Sequence, residues 1–438
     1  MVVNDVSGPV ARLQGSRARL RWLERVRWQL GLGLLVCIFL PSAFRYALTD
    51  LWFNVAPEFN SIGAGAIAIV GGYMLLRRLH VFPGINALGY VMPCFSASFV
   101  VVILIMFIFR LDYSRLPLIT SYFLALAWFC LIFLVISRYK ILSLAIVPGG
   151  EAEKVGYLDN VAWHLLSSPD EQPFGCDGIV VDLSVDHLDE WERFIAEQAL
   201  SGTRVYDVKQ VIEQLTGRAE IDRLSLNTLG YINPNEAYFK IKQIAEWSLA
   251  AITLVLLSSV FVIVAIAIKI DSKGPVFFRQ TRIGFRGKPF RVFKFRTMVH
   301  APAAAVTADG SARNSAMTLP GDSRITRVGS FLRRTRLDEV PQLLNVLLGH
   351  MGWIGPRPEA APLTEWYEKE LPFYHYRHIV RPGITGWAQV RQGHVVDVND
   401  VRDKLYYDFY YIKNYSFWLD LLILMMTVKI VLTGQGAK

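Results

Sequence analysis

The run Ser248–Ile268 spans 21 residues without a charge, yet basic residues stand on both sides of it. As one straight helix it is ~31 Å long, enough to cross the hydrocarbon core of a bilayer. Lys240 and Lys242 precede it, and Lys269, Lys273, Arg279, Arg282, Arg286, Lys288, Arg291, Lys294 and Arg296 follow. Cations collect on the cytoplasmic side of a membrane, so a simple crossing strands one of these flanks on the wrong side. A helix that enters, bends and returns satisfies both. Bending at membrane depth frees backbone groups, which protein or Ser/Thr side chains must satisfy. Ser258-Ser259 sits midway and suits that task. The sequence therefore predicts a re-entrant helix over 248–268 with its bend at Ser258 and Ser259; the simpler alternative is one more plain span.

Four other apolar stretches lie near the N-terminus: Leu30–Leu48, Ile62–Leu76, Val91–Phe109 and Leu116–Ile136. Each approaches the ~20 residues a spanning helix needs, Ile62–Leu76 being short. A polar tail over residues 1–28 carries six arginines, and no clear small-residue cleavage site follows the first stretch. An uncleaved anchor is expected. Arg77 and Arg78 follow the second stretch and Arg138 and Lys140 the fourth, which puts both ends of a four-helix unit on the cytoplasmic side. With 53% of residues apolar and 19% charged, a disordered chain is excluded and an ordinary cytosolic globule is disfavoured. The formal charge of +9 points to anionic lipid or phosphorylated ligands, not to nucleic acid. Four cysteines without CxxC spacing and eight histidines without ligand spacing indicate neither a disulfide framework nor a zinc site.

Residues 141–232 have a soluble composition. Short apolar runs (Leu142–Val147, Gly178–Val181, Thr203–Tyr206) alternate with helix-like stretches (Leu188–Leu200, Val208–Leu215). That alternation predicts a small α/β domain with parallel strands, Rossmann-like in outline. Gly149-Gly150 follows the first run without a GxGxxG or Walker pattern, so a plain turn is preferred to a phosphate-binding one. The expected organisation is a basic tail (1–28), four transmembrane helices (29–140), the α/β domain (141–232) and a mostly helical region (233–438).

Chemistry-bearing residues concentrate in that last region. Seven cations between Arg279 and Arg296 are interleaved with Phe285, Phe290, Phe293 and Phe295. Two readings stand side by side: a patch on anionic headgroups, or a diphosphate cradle in which Gly284 and Gly287 let backbone N–H groups approach oxygen. Further on, Asp338 and Glu339 are adjacent. Pro341 is tolerated only in the first turn of a helix, so the helix through Leu343–Leu348 is expected to begin near Asp338. Both acids then sit at a helix N-terminus, supported by Arg333, Arg334 and Arg336. They are either ordinary first-turn acids, or a pair in which one attacks phosphorus while the other holds a cation. In Gly355-Pro-Arg-Pro358, Pro356 and Pro358 fix the backbone around Arg357, whose guanidinium suits bidentate phosphate recognition. The apolar run Phe417–Thr433 carries Asp420 and Lys429 and reads as an interfacial helix.

Taken in order, the motifs KFRTM, D-x-R-I-T-R-V-G, L-D-E-x-P-Q, N-V, G-P-R-P and R-P-G-I-T-G-W-A-Q resemble the bacterial sugar transferase family. These are the monotopic polyprenyl-phosphate phosphoglycosyl transferases that open exopolysaccharide, capsule and O-antigen assembly. The resemblance covers residues from about Lys240 to the C-terminus, and the preceding helices and α/β insert look like those of the larger members. It implies transfer of a hexose 1-phosphate from a UDP-sugar to undecaprenyl phosphate, with release of UMP. It also implies a covalent phosphosugar on Asp338, with Asp338 and Glu339 positioning Mg²⁺. Arg282, Lys294, Arg296, Arg333, Pro356, Arg357 and Pro358 match positions around the substrate phosphates and the nucleotide. The location implied is the bacterial inner membrane, with the catalytic part on the cytoplasmic face against anionic lipid; the four N-terminal spans offer a pairing surface for a homodimer.

Two departures stand out. Members commonly begin the membrane hairpin with a Lys-Arg pair and an aspartate, where this chain has Lys242-Gln243 and Glu246. Their hairpin usually bends at Ser-Pro, where this chain has Ser258-Ser259; proline removes a helix hydrogen bond, whereas serine only encourages a bend. The competing function is a non-catalytic membrane scaffold of a polysaccharide assembly complex, which would not need an intact Asp-Glu pair.

Overall fold

The computed structural model of the chain describes residues 25–39, 42, 55–79, 88–139, 142–152, 155, 161–173, 175–220, 236–299, 324–392 and 398–433. Most of the basic tail, the second half of Leu30–Leu48 and His394 lie outside the described residues. Two compact units divide the chain, Met1–Thr216 and Gly217–Lys438.

The first unit begins with α1 (Val26–Leu34), which runs on into a π-helical turn over Leu35–Phe39, followed by α2 (Val55–Leu79), α3 (Leu88–Ile108) and α4 (Arg115–Tyr139). Among the described residues three helices are long and apolar enough to cross a membrane, over Pro57–Leu79, Tyr90–Ile108 and Arg115–Ile136; Val26–Phe39 is a shorter apolar helix. The second stretch proves longer than its apolar run because polar residues extend the helix: Ser61 Oγ donates to the Pro57 carbonyl at 2.7 Å. Phe95 and Phe129 stack in the interior, and a Cβ on Gly72 would stand 2.9 Å from the Phe95 ring. Small residues at that crossing let the helices approach. Outward, Phe107 and Phe123 are 74% and 62% exposed, an arrangement suited to lipid rather than water.

Four strands follow: β1 (Leu142–Ile146), β2 (Val161–Leu165), β3 (Gly178–Val181) and β4 (Val205–Asp207), with α5 (Asp189–Leu200) and α6 (Val208–Thr216). All pair in parallel, in the order β2-β1-β3-β4. Leu144, Ile146 and Val180 pack with Val208 and Val211 on one face; Ala145, Ile179 and Val181 pack with Trp191 and Phe194 on the other. Burial on both faces is why these strands read as continuous apolar runs. β2 escaped the sequence reading because it is an edge strand with an exposed end. Gly149 and Gly150 take positive φ, and the Asp182 carboxylate accepts from the Glu151 N–H at 2.8 Å, closing the turn from within. A Cβ on Gly150 would meet that carboxylate at 2.2 Å, so only glycine fits.

The second unit opens, within the described residues, with Gly217–Glu220, where Trp387 Nε1 donates to the Gly217 carbonyl. Next come α7 (Glu236–Leu256) and α8 (Ser258–Asp271), bent by 62° at Leu257. The break falls one residue before the predicted serine pair. Ser258 Oγ donates to the Val255 carbonyl at 2.8 Å, satisfying one group that the bend frees. β5 (Phe277–Ile283) and β6 (Pro289–Phe295) form an antiparallel hairpin. Alternation along β6 sends Phe290 and Val292 into a core with Ala250, Leu343, Val346 and Met351, while Phe295 packs with Val264, Ile268 and Leu332. Then follow α9 (Arg327–Arg334), a 3₁₀ turn over Leu337–Glu339, α10 (Gln342–Leu347), β7 (Gly352–Ile354), α11 (Ala361–Glu370), a 3₁₀ turn over Tyr374–Ile379 and β8 (Gly383–Thr385). Last are α12 (Trp387–Arg391), α13 (Val398–Lys413) and α14 (Phe417–Thr433).

Several motifs turn out to be joints. Thr326 caps α9 by accepting from the Gly329 N–H at 3.0 Å. Gly329 lies so close to the Thr297 carbonyl that a Cβ would stand 2.1 Å away. Asn345 is fully buried, accepting from the Phe293 N–H at 2.9 Å and donating to the Arg291 carbonyl at 2.7 Å, which sews α10 to β6. Asn345→Leu removes both bonds at nearly constant volume. It is expected to cost about 2 kcal/mol, because the β6 groups lose their partner, and to lower the thermal unfolding midpoint of the purified protein.

Candidate active site

Asp338 and Glu339 lie in the 3₁₀ turn Leu337–Glu339, ahead of α10 and not within its first turn. The expectation that both acids open the helix is corrected here. Arg336 takes a left-handed conformation (φ 59°), closing a tight turn after α9, and α10 starts only after Pro341. What favours negative charge on this pair is therefore side-chain cations more than a helix end.

Glu339 is buried and clasped twice. Lys294 Nζ donates to its Oε1 at 2.7 Å, and Arg357 Nη2 to the same oxygen at 2.8 Å. Burial pushes its carboxyl up, but Arg357 and Lys294 outweigh burial and hold it well below the usual carboxylate range. Asp338 is half-buried. Burial and the neighbouring Glu339 charge push its carboxyl up, against the pull of Lys294, Arg333 and Arg336. Two adjacent acids thus carry opposite shifts, the pattern of paired carboxylates with divided tasks.

The cations reach the turn from four segments. Lys294 comes from the end of β6 on the face of Phe290 and Val292; burial drags its ammonium down. Arg333, on α9, is oriented by Thr297, whose Oγ1 accepts from Nε at 2.9 Å. Arg282, on β5, donates through Nη1 to the Pro358 carbonyl and through Nη2 to Gln280 Oε1 at 3.1 Å, and burial beside Arg357 lowers its guanidinium. Arg357 stands in the turn after β7, between Pro356 and Pro358. Backbone approach fixes that turn: β7 pairs in parallel with β8, and the Gly383 N–H donates to the Pro356 carbonyl at 3.0 Å. A Cβ on Gly355 would meet the Arg381 carbonyl at 2.3 Å, and one on Gly386 the Gly355 carbonyl at 2.2 Å. The glycines of G-P-R-P and R-P-G-I-T-G therefore exist for each other.

The predicted residues do not all converge. Asp338, Glu339, Lys294, Arg282, Arg333, Pro356, Arg357 and Pro358 form one partly buried, cation-rich cluster around the acid pair. Arg296 instead caps α8, donating from Nη2 to the Ser272 carbonyl at 2.7 Å and to Ser272 Oγ at 2.9 Å. Gly284 and Gly287 shape the β5–β6 turn. Ser258 and Ser259 belong to the bend of α7 and α8.

Sequence reasoning passed over Glu359, Arg377, Lys404 and Asp408. Glu359 directly follows the Pro-Arg-Pro element and pairs with Lys404. Burial pushes Glu359 up, but Lys404, Arg377 and Arg282 together hold it low. Lys404 and Asp408 are four apart on α13, a spacing that puts them on one helix face and was the available signal. Asp420, read as a charge on an interfacial helix, is instead an internal counter-ion. Lys242 pairs with it at 2.7 Å, and Tyr411 donates to its other oxygen at 2.8 Å.

Residues 237–434 match the family described as bacterial sugar transferase. The UDP-N-acetylgalactosamine-undecaprenyl-phosphate N-acetylgalactosaminephosphotransferase of Aeromonas hydrophila is 38% identical over 427 residues, covering 96% of this chain and 99% of that one. The UDP-glucose:undecaprenyl-phosphate glucose-1-phosphate transferases of Xanthomonas campestris pv. campestris and Escherichia coli K12 are each 41% identical, over 210 and 190 residues. Those matches cover 48% and 43% of this chain and 42% and 39% of those proteins. The chain belongs to the bacterial sugar transferase family, as an enzyme of the larger kind with apolar N-terminal helices.

Because Glu339 holds Lys294 and Arg357, it occupies the place where an anion would meet them. Glu339→Gln is expected to lower the unfolding midpoint, since two cations lose their acid. Inorganic pyrophosphate is then expected to raise the midpoint of the variant by more than that of wild type. Equal shifts in the two proteins would contradict this reading of the clasp.

Proposed function

We propose that the chain transfers a hexose 1-phosphate from a UDP-sugar to undecaprenyl phosphate, releasing UMP. The observation that carries the reading is the division of the acid pair: Asp338 is half-exposed and in no ion pair among the described residues, while Glu339 is clasped by the two cations best placed for a diphosphate. In the first step an Asp338 carboxylate oxygen attacks the phosphorus that bears the sugar. A P–O bond forms, the bond to the UMP oxygen breaks, and UMP departs. In the second step an oxygen of undecaprenyl phosphate attacks the same phosphorus and the Asp338 carboxylate is released. Splitting one displacement into two is covalent catalysis, and Lys294, Arg357, Arg282 and Arg333 neutralise the charge that grows on the phosphoryl oxygens.

The acid pair also fits Mg²⁺. It supplies two hard oxygen donors, and Asp338 carries the strain of a second carboxylate beside it, which a cation relieves. Asp338 and Glu339 would hold the ion, with substrate phosphate and water supplying the remaining oxygens; among the described residues no group of three or more His, Cys, Asp or Glu side chains lies together. When bound, the ion adds positive charge at the reacting phosphate.

The membrane placement rests on attachment. α7 is tied to the second unit by Lys242, which donates to the Ile354 carbonyl at 2.9 Å, and by Trp247 Nε1, which donates to the Leu347 carbonyl. α8 is tied to the same unit by the grip of Arg296 on Ser272, and by Asp271, which accepts from the Val328 N–H at 3.1 Å. Both ends of the bent pair thus belong to one body, which supports a re-entrant anchor over a crossing. The basic flanks favour the cytoplasmic face of the bacterial inner membrane. With the α1 stretch counted, the N-terminal part is a four-helix membrane unit, and the parallel sheet a Rossmann-like domain. The product then opens an exopolysaccharide, capsule or O-antigen assembly.

UMP release from UDP-N-acetylgalactosamine and from UDP-glucose, with undecaprenyl phosphate and Mg²⁺, tests the reading. Asp338→Asn is expected to lower turnover at least about a thousandfold. Turnover like wild type would remove Asp338 from the role of nucleophile. The rate is expected to fall on acidification through a midpoint set by Asp338, which attacks only when ionised. Arg333 stabilises the ionised form, so Arg333→Ala is expected to move that midpoint to higher pH; a shift to lower pH contradicts the assignment.

A further inference from the structure

The segment Ile354–Glu359 presents Arg357, and charged or backbone donors hold its carbonyls from behind. Ile354 accepts from Lys242, Pro356 from the Gly383 N–H, Arg357 from Arg377, Pro358 from Arg282 and Glu359 from the Ile283 N–H. The bond at Arg357 itself comes from a buried arginine. Arg377 is 3% exposed; its Nη2 donates to the Arg357 carbonyl at 2.9 Å and lies 2.7 Å from Asp408 Oδ2. Its Nη1 donates to the Tyr374 hydroxyl at 2.5 Å, and its guanidinium lies 5.0 Å from the centre of that ring. Asp408 is 1% exposed. A buried arginine is fixed in three directions, by a carboxylate, a phenol and a main-chain carbonyl, and the carbonyl belongs to the residue whose side chain clasps Glu339.

We propose that Arg377, seated on Asp408, is a positioning residue for diphosphate recognition: it sets the backbone of Arg357, and through it the direction of the Arg357 guanidinium. Neither Arg377 nor Asp408 faces the substrate phosphates in this account. Their influence passes through Arg357 alone. Lysine cannot replace Arg377, since one ammonium on a flexible stem cannot serve three partners held by a planar fork. The inference rests on the functional reading above, in that the anion placed against Arg357 is the diphosphate of a nucleotide sugar.

The experiment measures UDP binding calorimetrically to the purified full-length protein in lipid nanodiscs, with unfolding midpoints recorded in parallel. Asp408→Asn and Arg377→Lys are expected to weaken UDP binding about tenfold. Tyr374→Phe, which removes only one contact to Arg377, is expected to weaken it by a smaller factor in the same direction. This milder variant keeps the test decisive if Asp408→Asn does not fold. In the Arg357→Ala background the expected further effect of each change is less than twofold, because the group they position is gone. A purely structural role would instead weaken binding by the same factor with or without Arg357, and that result overturns the inference. Wild-type protein that binds UDP, with all three variants binding equally well, overturns the inference alone. Wild-type protein that fails to bind UDP overturns the functional reading and the inference with it.

Discussion

The clasp of Lys294 and Arg357 on Glu339 is the constraint on which the second unit depends. It joins the end of β6, the 3₁₀ turn and the Pro-Arg-Pro turn at one carboxylate, and all three groups are largely removed from water. A buried carboxylate is costly unless it is paired, and each cation is equally costly without its acid. The three segments are therefore held together or lost together. The neighbouring Asp338 inherits an environment shaped by that arrangement: close to the same cations, but without sharing their direct contacts.

Around the clasp, contacts between backbones do the aligning. Gly355, Gly383 and Gly386 allow main chains to touch where any Cβ would collide, and Gly329 does the same against Thr297. A second charged knot, Lys242 with Asp420 and Glu246, links the start of α7 to α14 and to the carbonyl that precedes the Arg357 turn. The bent helix pair and Arg357 are thus neighbours in one network. In the proposed function this suits an enzyme whose one substrate is held in the lipid and whose other is water-soluble.

Much of this was legible in the sequence where one physical rule dominated. Apolar length pointed to four N-terminal helices, of which three are long enough to span among the described residues; alternation gave three of four parallel strands, and the ordered motifs brought Asp338, Glu339, Lys294 and Arg357 together. Legibility failed where geometry depends on partners distant in the chain. Pro341 implied a helix starting near Asp338, yet the left-handed Arg336 inserts a separate turn first. Ser258-Ser259 marked the bend to within a residue, but the strength of that bend comes from contacts at both ends of the helix pair. Arg296 matched a family position around the phosphates, but β6 ends at Phe295, and Arg296 turns to the end of α8 instead. Asp420 read as a charge on an interfacial helix because its counter-ion, Lys242, lies far away in sequence. Gly149-Gly150 gave no hint of Asp182, the carboxylate that fills its turn.

The most direct test of the account is the intact mass of purified protein mixed with a UDP-sugar and Mg²⁺ in the absence of undecaprenyl phosphate, followed by peptide mapping. A mass gain equal to one phosphosugar, located on the peptide containing Asp338 and discharged on addition of undecaprenyl phosphate, is the predicted result. UMP release that requires the lipid acceptor from the outset, with no adduct at any time, would contradict it.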